Sequence, residues 1–297
     1  MTLSTLLPSP GQKKHDSLTF SAPLLHAWQW PYTAVRGTRE GPTLCVIAGI
    51  HGAEYASIEA VIRLGQSIEP AAMRGSLLLF PCLNLPAFWE RSMFVCPLDQ
   101  KNLNRVFPGN AQGSFSEVLA HSFFSEVFLH VDYLIDVHGG DLVEDLIPFA
   151  IFQETGNPEV DRRSEGMARS FGLPYILRQP PTGGPVSGTT YATVAERGIP
   201  AIIAEAGGMG RRDEESISTL VQGVYNVMHH LNLLPGTPVQ RSSPILVREF
   251  IWLYSSSEGL FYPTVSVGER VKAGTVVGEL RDFFGTLRET FTAPQES

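Results

Sequence analysis

Two residues able to bind a metal ion stand close together in the segment Ile50-His51-Gly52-Ala53-Glu54. The segment follows an apolar run, 43–49, which has the composition of a buried strand. Three-residue spacing in the first turn of a helix would place His51 and Glu54 on one face. Imidazole nitrogen and carboxylate oxygen both bind zinc, and a catalytic zinc often has three protein ligands. For this pair alone, a capping glutamate and a hydrogen-bonded histidine are the simpler interpretation.

A second candidate ligand ends the apolar run 133–138, where His138 is followed by two glycines. A histidine that leaves a strand tip before a flexible turn is well placed as a third ligand. Asp136 shares the strand face of His138, because side chains alternate with period two. Its carboxylate could orient a ligand histidine. Hydrogen bonding at the strand end is an equally good interpretation of Asp136.

Glu205 ends a third apolar run, 199–204, and is followed by Ala-Gly-Gly. A carboxylate beside a metal-bound water can act as a general base. Taken alone, Glu205 could instead cap a helix or form a salt bridge. Three separate strands that end in such residues are much less easily explained by chance, and sites in α/β sheets lie at the carboxyl ends of strands.

The segment 84–109 supplies three polar residues that could bind a substrate, Arg91, Asn104 and Arg105. Guanidinium and amide groups can hold a carboxylate by bidentate and amide hydrogen bonds. Without the candidate metal ligands, the two arginines would be interpreted as surface charges.

Strand-like and helical patterns alternate from residue 43 onward, which favours an α/β sandwich with a largely parallel or mixed sheet. Residues 1–40 are mixed and polar, as in an edge strand pair. A Pro/Gly-rich break at 235–244 predicts a catalytic domain over 1–236 and a small β-barrel or sandwich domain over 237–297. The predicted strands are 43–49, 76–83, 133–137, 148–153, 174–178 and 199–204, and the predicted helices are 54–64, 115–130, 157–171 and 213–234.

Composition excludes some classes of function. The 297-residue chain is 43% hydrophobic and has a net charge of −8, which disfavours a nucleic-acid partner. No apolar run approaches the length of a membrane span, and the N-terminus lacks a signal-peptide pattern. Three cysteines without CxxC spacing disfavour a disulfide framework, and Cys45 and Cys82 lie in strand-like runs as buried thiols would. We therefore expect a cytoplasmic protein.

The order of motifs is H-x-x-E, then Arg, then Asn-Arg-x-Phe-Pro-Gly, then D-x-H, then Glu-x-Gly-Gly. This order resembles the succinylglutamate desuccinylase/aspartoacylase family, within the broader zinc carboxypeptidase-like group, over about residues 43–290. The resemblance implies a three-layer sandwich with a mixed sheet and a small C-terminal β domain. It implies one Zn²⁺ per chain, bound by His51, Glu54 and His138.

The resemblance also implies roles for the other candidates. Glu205 would be the general base, and Arg91 would polarise the scissile carbonyl or hold a substrate anion. Asn104 and Arg105 would hold a substrate carboxylate. Many relatives carry Asp two positions before the Asn-Arg pair, where it supports a ligand histidine. Here the residue is Asn102, as in the subset that resembles N-acetyl-diaminobutyrate deacetylases, so it adds no charge.

The function implied is a zinc-dependent hydrolase that cleaves the amide bond of a small, anionic N-acyl amino acid or related amide. The alternatives are a metallocarboxypeptidase acting on a peptide-like substrate and a metal-binding protein without catalysis. A homo-oligomer is expected from the resemblance, and the β domain is expected to be incomplete or closed by a partner. The Gly/Pro-rich segment 179–191 is either a loop over the site, with Tyr191 as a hydrogen donor, or a plain connector.

Overall fold

A mixed β-sheet forms the centre of the first of two compact units, Met1–Arg248 and Glu249–Ser297. The computed structural model describes residues 3–181, 187–239, 243–248 and 250–296. Within these residues the sheet has nine strands in the order β1-β2-β4-β3-β5-β8-β6-β7-β9. The strands are β1 (Gln12–Leu18), β2 (Trp30–Arg36), β3 (Arg39–Ala48), β4 (Arg74–Phe80), β5 (Tyr133–His138), β6 (Phe149–Gln153), β7 (Tyr175–Gln179), β8 (Ala201–Glu205) and β9 (Ile245–Val247).

All six predicted strands are present, with ends shifted by a few residues. The polar N-terminal region forms the antiparallel pair β1–β2 at one edge of the sheet, as predicted. Strands β3, β4, β5 and β8 pair in parallel in the middle of the sheet, and β6 pairs antiparallel to β8. The sheet is therefore mixed.

Helices lie on both faces of the sheet. They are α1 (Leu3–Leu6), α2 (Tyr55–Ser67), α3 (Leu85–Glu90), α4 (Phe115–Glu126), α5 (Pro158–Phe171), α6 (Thr190–Ala195) and α7 (Glu214–His230). The predicted start of α5 is confirmed, because the Asn157 side chain accepts the N–H of Glu159 at 3.1 Å and Pro158 occupies the first turn.

Alternate residues of the central strands face two separate hydrophobic cores. Leu44, Val46 and Ala48 belong to the core beneath α2, α5 and α7, whereas Cys45 and Ile47 belong to the core that includes the apolar face of α4. Burial on both faces explains why these strands read as continuous apolar runs. The predicted three-layer α/β sandwich is confirmed.

The second unit contains a small antiparallel sheet, formed by β10 (Leu260–Pro263), β11 (Val276–Arg281) and β12 (Leu287–Thr292). A small C-terminal β region was predicted. Strand β9 pairs with β7 of the large sheet, so 245–247 are hydrogen-bonded to the first unit, beyond the predicted domain boundary at 236/237. The division into a catalytic domain and a β domain stays a prediction.

Cys45, Cys82 and Cys96 are free and buried. Burial raises the pKa of each thiol, and that of Cys82 reaches about 12, so these thiols are packing residues. Across the described part of the chain, the helices are too short or too polar to cross a bilayer.

Candidate metal centre

The turn between β3 and α2 brings the side chains of His51 and Glu54 together. Nδ1 of His51 lies 2.7 Å from Oε1 of Glu54. The predicted geometry is wrong in one respect, because α2 begins at Tyr55 and His51 lies outside any helix. Glu54 occupies the N-cap position but makes no side-chain capping bond, since its carboxylate points to His51. The pair is therefore held by the turn, and the capping interpretation of Glu54 does not apply.

Gly52 makes this turn possible. A Cβ atom at this position would stand 2.1 Å from the backbone nitrogen of Phe88 in α3. Only glycine allows two backbones to approach so closely. The α3 segment thus presses directly on the turn that carries His51 and Glu54.

His138, the last residue of β5, completes a cluster of three donor groups. Its Nδ1 lies 3.0 Å from Oε2 of Glu54, and the His51 and His138 rings are 5.2 Å apart. The Gly139 N–H donates to the same Oε2 at 3.1 Å. One donor atom from each of the three side chains lies within 4.8 Å of the others, so the cluster could hold a metal ion.

The hydrogen bonding of His51 tests whether the cluster fits a metal. Oδ1 of Asn102 accepts the Asn104 N–H at 2.8 Å and lies 3.1 Å from Nε2 of His51. An acceptor there requires the His51 proton to be on Nε2. The Nδ1 lone pair then faces a Glu54 carboxylate oxygen at 2.7 Å. Two lone pairs so close need a proton or a cation between them, and a divalent metal ion meets that need.

Asp136 supports His138 from the same strand face, as period two predicted. Its Oδ1 lies 3.0 Å from Nε2 of His138, as an ion-pair contact rather than an aligned hydrogen bond. Its Oδ2 accepts the Thr190 hydroxyl. Asn104 reaches the same His138 nitrogen through Nδ2 at 3.5 Å, and its Oδ1 accepts the Thr190 N–H at 3.0 Å. The start of α6 therefore fixes both partners of His138.

The charges of the cluster favour a cation at its centre. Burial opposes ionisation of Glu54, but the charges of His138 and His51 outweigh burial and lower its pKa to about 2. Burial would lower the pKa of His138, but the carboxylates of Asp136 and Glu54 raise it well above its usual value. The carboxylates therefore hold positive charge where the donor atoms meet.

Glu205 ends β8 directly beside His138. The two residues are register partners across the parallel β5–β8 pair, so their side chains leave the same face of the sheet. Among the described residues its carboxylate has no hydrogen-bond partner. Loss of water raises its pKa well above the usual value, and the carboxylates of Glu54 and Glu144 add to the shift. A raised pKa makes this carboxylate a stronger base than an ordinary glutamate.

The two arginines have different surroundings. Arg105 follows Asn104, and its Nη1 donates to the Asn104 carbonyl at 2.7 Å, whereas the Asn104 side chain lies 3.5 Å from His138. Arg91 is the left-handed C-cap of α3 and is exposed. It lines a groove of about 470 Å³ with Trp89 and Arg212, and no contact joins its side chain to the cluster within the described residues. Among the described residues neither guanidinium contacts the cluster, so the roles of Arg91 and Arg105 both stay predictions.

Sequence reasoning missed three residues that touch the candidate site. Thr190 bonds both Asn104 and Asp136, Phe94 packs edge-on against His51, and Asp141 binds the backbone of Phe94. Asp141 directly follows His138-Gly-Gly and Thr190 lies in the segment 179–191, whereas Phe94 had no signal in the sequence. The predicted loop at 179–191 includes 182–186, which lie outside the described residues. Tyr191 is fully buried, and its hydroxyl lacks a hydrogen-bond partner in the described structure.

A model of the succinylglutamate desuccinylase/aspartoacylase catalytic domain matches residues 40–231, which hold every candidate ligand and Glu205. The chain belongs to this family. Relatives of known sequence and of known structure are both similar to this chain.

The N-alpha-acetyl-L-2,4-diaminobutyric acid deacetylase of Halomonas elongata is 30% identical over 257 residues, 85% of this chain and 74% of that protein. A succinylglutamate desuccinylase/aspartoacylase structure from Rhodobacter sphaeroides has 27% identity and a TM-score of 0.79, covering 94% of this chain and 86% of that one. The product-bound ectoine utilization protein EutE (DoeB) of Ruegeria pomeroyi has 24% identity and a TM-score of 0.85, covering 96% and 88%, and it supports the fold.

The Asn102 contact gives a first testable prediction for the family site in this chain. If the cluster binds zinc, as the resemblance to the family implies, Asn102→Ala should weaken that binding about 10–100-fold, because His51 loses the acceptor that fixes its ring and tautomer. Asn102→Asp keeps an acceptor and adds charge, so it should bind zinc at least as tightly as the unchanged protein. The measurement is the zinc dissociation constant by competition with a chelator. Asn110→Ala is the control, since Asn110 is exposed and, among the described residues, its side chain bonds only the Gln112 N–H. Unchanged affinity in Asn102→Ala would contradict the role.

Proposed function

We propose that this protein is a zinc-dependent hydrolase that cleaves the amide bond of a small N-acyl amino acid. One observation carries the proposal: His51, Glu54 and His138 converge on one point beside Glu205, a carboxylate without a hydrogen-bond partner among the described residues. A protein that only stores or senses a metal has no use for such a carboxylate. A hydrolase needs it as a general base.

His51, Glu54 and His138 would hold the ion. Two imidazoles and one carboxylate are a donor set that suits zinc, and three protein ligands leave a position open, as in catalytic sites. A bound zinc ion supplies Lewis-acid polarisation of a carbonyl and lowers the pKa of water. Asn102 and Asp136 would keep the two histidines oriented, since each carboxamide or carboxylate oxygen lies close to Nε2 of its histidine.

Glu205 would move the proton. It accepts a proton from the water that attacks the amide carbon, and then gives that proton to the leaving nitrogen as the C–N bond breaks. Its raised pKa makes Glu205 a stronger base than an ordinary glutamate, which favours the first half of this transfer.

Arg105 and Asn104 would orient the substrate. The Arg105 guanidinium is exposed and anchored by one bond to the Asn104 carbonyl, which leaves other N–H groups for a carboxylate. The substrate would thus be anionic, with its amino-acid carboxylate at Arg105. The named activity of the Halomonas relative, removal of an acetyl group from an amino acid, supports this substrate class. The free buried thiols agree with the expected cytoplasmic location, which stays a prediction.

The test is a mass-spectrometric screen of zinc-loaded and metal-free protein. The panel contains N-acetyl, N-succinyl and N-formyl amino acids, small amides and dipeptides with a free C-terminus. We expect release of the acyl group from at least one N-acyl amino acid, by the zinc-loaded protein alone.

Two outcomes would overturn the proposal. Cleavage of the dipeptides without the N-acyl amino acids would assign a carboxypeptidase. Stoichiometric zinc binding without turnover of any compound in the panel would assign a metal-binding protein.

A further inference from the structure

Phe94 adopts a backbone conformation that is unfavourable for an aromatic residue. Its φ is +60°, in the left-handed region that side chains with a Cβ rarely enter. Its ring lies 6.3 Å from the His51 ring at an interplanar angle of 83°, an edge-on contact. Strained residues of this kind persist where the surroundings hold them, and they cluster at ligand-binding sites. Some contact must therefore stabilise this backbone conformation of Phe94, and its place beside His51 points to a role at the candidate site.

Asp141 stabilises the backbone conformation of Phe94. Its side chain is fully buried, and Oδ2 accepts the Phe94 N–H at 2.8 Å while Oδ1 accepts the Leu142 N–H at 2.6 Å. Its backbone carbonyl accepts the Met209 N–H at 3.1 Å. Asp141 thus ties together the segment before Asn102, the loop after His138 and the loop after Glu205. Both carboxylate oxygens are occupied by backbone bonds, so Asp141 has no proton-transfer role.

The surroundings of Phe94 differ in charge from those of Arg105. The charged side chains bonded to the Phe94–Asp141 linkage are carboxylates, namely Asp141 itself and Glu144, whose Oε2 accepts the Asp141 N–H at 2.9 Å. Arg105 is bonded instead to the carbonyl of Asn104, the residue whose side chain reaches His138. A carboxylate on the substrate would be attracted to Arg105 and repelled near Glu144. An apolar group would be favoured against the Phe94 ring.

We propose that Phe94 is the specificity-determining wall of the acyl pocket and that Asp141 is the positioning residue that holds it. The pocket would take short, uncharged acyl groups such as acetyl and exclude longer or dicarboxylic ones. This inference rests on the proposed amide hydrolysis at the same site. The screen described above separates the two, because an inactive unchanged protein would contradict the function, and an active one permits the tests below.

Phe94→Gly is the decisive variant, since glycine adopts φ +60° without steric cost and removes the ring. The ratio of kcat/KM for the N-butyryl and N-acetyl forms of one amino acid should rise at least about tenfold. The melting temperature should not fall, as it would if Phe94 were only a packing residue. Trp89→Ala is the matched control, because Trp89 is 69% exposed and has no described contact with His51. An unchanged butyryl/acetyl ratio of kcat/KM in Phe94→Gly would contradict the proposal that Phe94 limits the acyl pocket.

Calorimetric binding of the carboxylate products provides a readout independent of turnover. Acetate and butyrate are titrated into zinc-loaded protein. Phe94→Gly should bind butyrate more tightly relative to acetate than the unchanged protein does, by a similar factor. Equal relative affinities in the two proteins would count against an acyl pocket at Phe94.

Asp141→Asn tests the positioning role. The amide places an N–H group against one backbone N–H, so the Phe94 backbone should be less firmly fixed. The butyryl/acetyl ratio of kcat/KM should therefore rise, while the zinc content stays unchanged. When Asp141→Asn is added to Phe94→Gly, the butyryl/acetyl ratio should not change further, because the effect of Asp141→Asn acts through the Phe94 ring. Additive effects in the double variant would overturn the positioning role. If Asp141→Asn does not fold, the Phe94→Gly results decide the proposal.

Discussion

Glu205→Gln should lower kcat by about 10³-fold while the protein keeps its zinc, since a general base contributes roughly 10²–10⁴-fold. Glutamine matches glutamate in shape but cannot accept the proton of the attacking water. Glu205 is not among the three clustered donors, so the metal content should stay near one ion per chain. Steady-state kinetics and elemental analysis of the same preparation measure both quantities.

Glu196→Gln is the control for this change. Glu196 is an exposed glutamate at the C-cap of α6, on the stretch that leads into β8. It should keep full activity. Full turnover in Glu205→Gln would show that the proton moves by another route and would remove Glu205 from the mechanism.

His138→Ala should abolish both zinc binding and hydrolysis, with activity falling by at least about 10³-fold. The change removes one donor of three, leaves the buried Asp136 carboxylate without its positive neighbour and leaves Glu54 with His51 alone. Breaking a buried ion pair costs about 3–5 kcal/mol, so lower thermal stability is also expected. Elemental analysis, activity and thermal unfolding are the measurements.

Loss of folding could by itself explain a dead His138→Ala protein, so a second ligand variant is needed. His51→Ala removes a side chain that is 12% exposed and has one carboxylate neighbour, and it should lose zinc with less harm to stability. His121→Ala, in α4, is the control and should keep both metal and activity. A full complement of zinc in His51→Ala and His138→Ala would contradict the assigned ligands.

Local pattern was sufficient to predict the parts of the site that lie on strands. Asp136 and His138 share a face because of period two, and the two-sided apolar runs placed Glu205 at the tip of a strand, which the structure pairs with the strand of His138. These inferences depend only on strand geometry and on the edge where parallel strands end.

Contacts between segments that are far apart in the sequence could not be predicted from local pattern. The expectation of a helical His51–Glu54 pair was wrong, since α2 begins at Tyr55, and the close approach of Gly52 to Phe88 joins segments far apart in the sequence. Arg91 was chosen by residue type, and its direction depends on the left-handed end of α3. The Phe94–Asp141 hydrogen bond joins residues 47 positions apart, and nothing in the sequence around either residue indicates that the two are in contact.

The parallel pairing of β3 with β5 sets an order of events in folding. The segment between these strands, 49–132, contains β4 and three helices, and the metal donors come together only when β5 lies beside β3. Closing such a long segment is slow and entropically costly, so the donors cannot meet early. A bound metal ion would therefore stabilise the paired strands β3 and β5 rather than start their pairing, so metal uptake would follow that pairing.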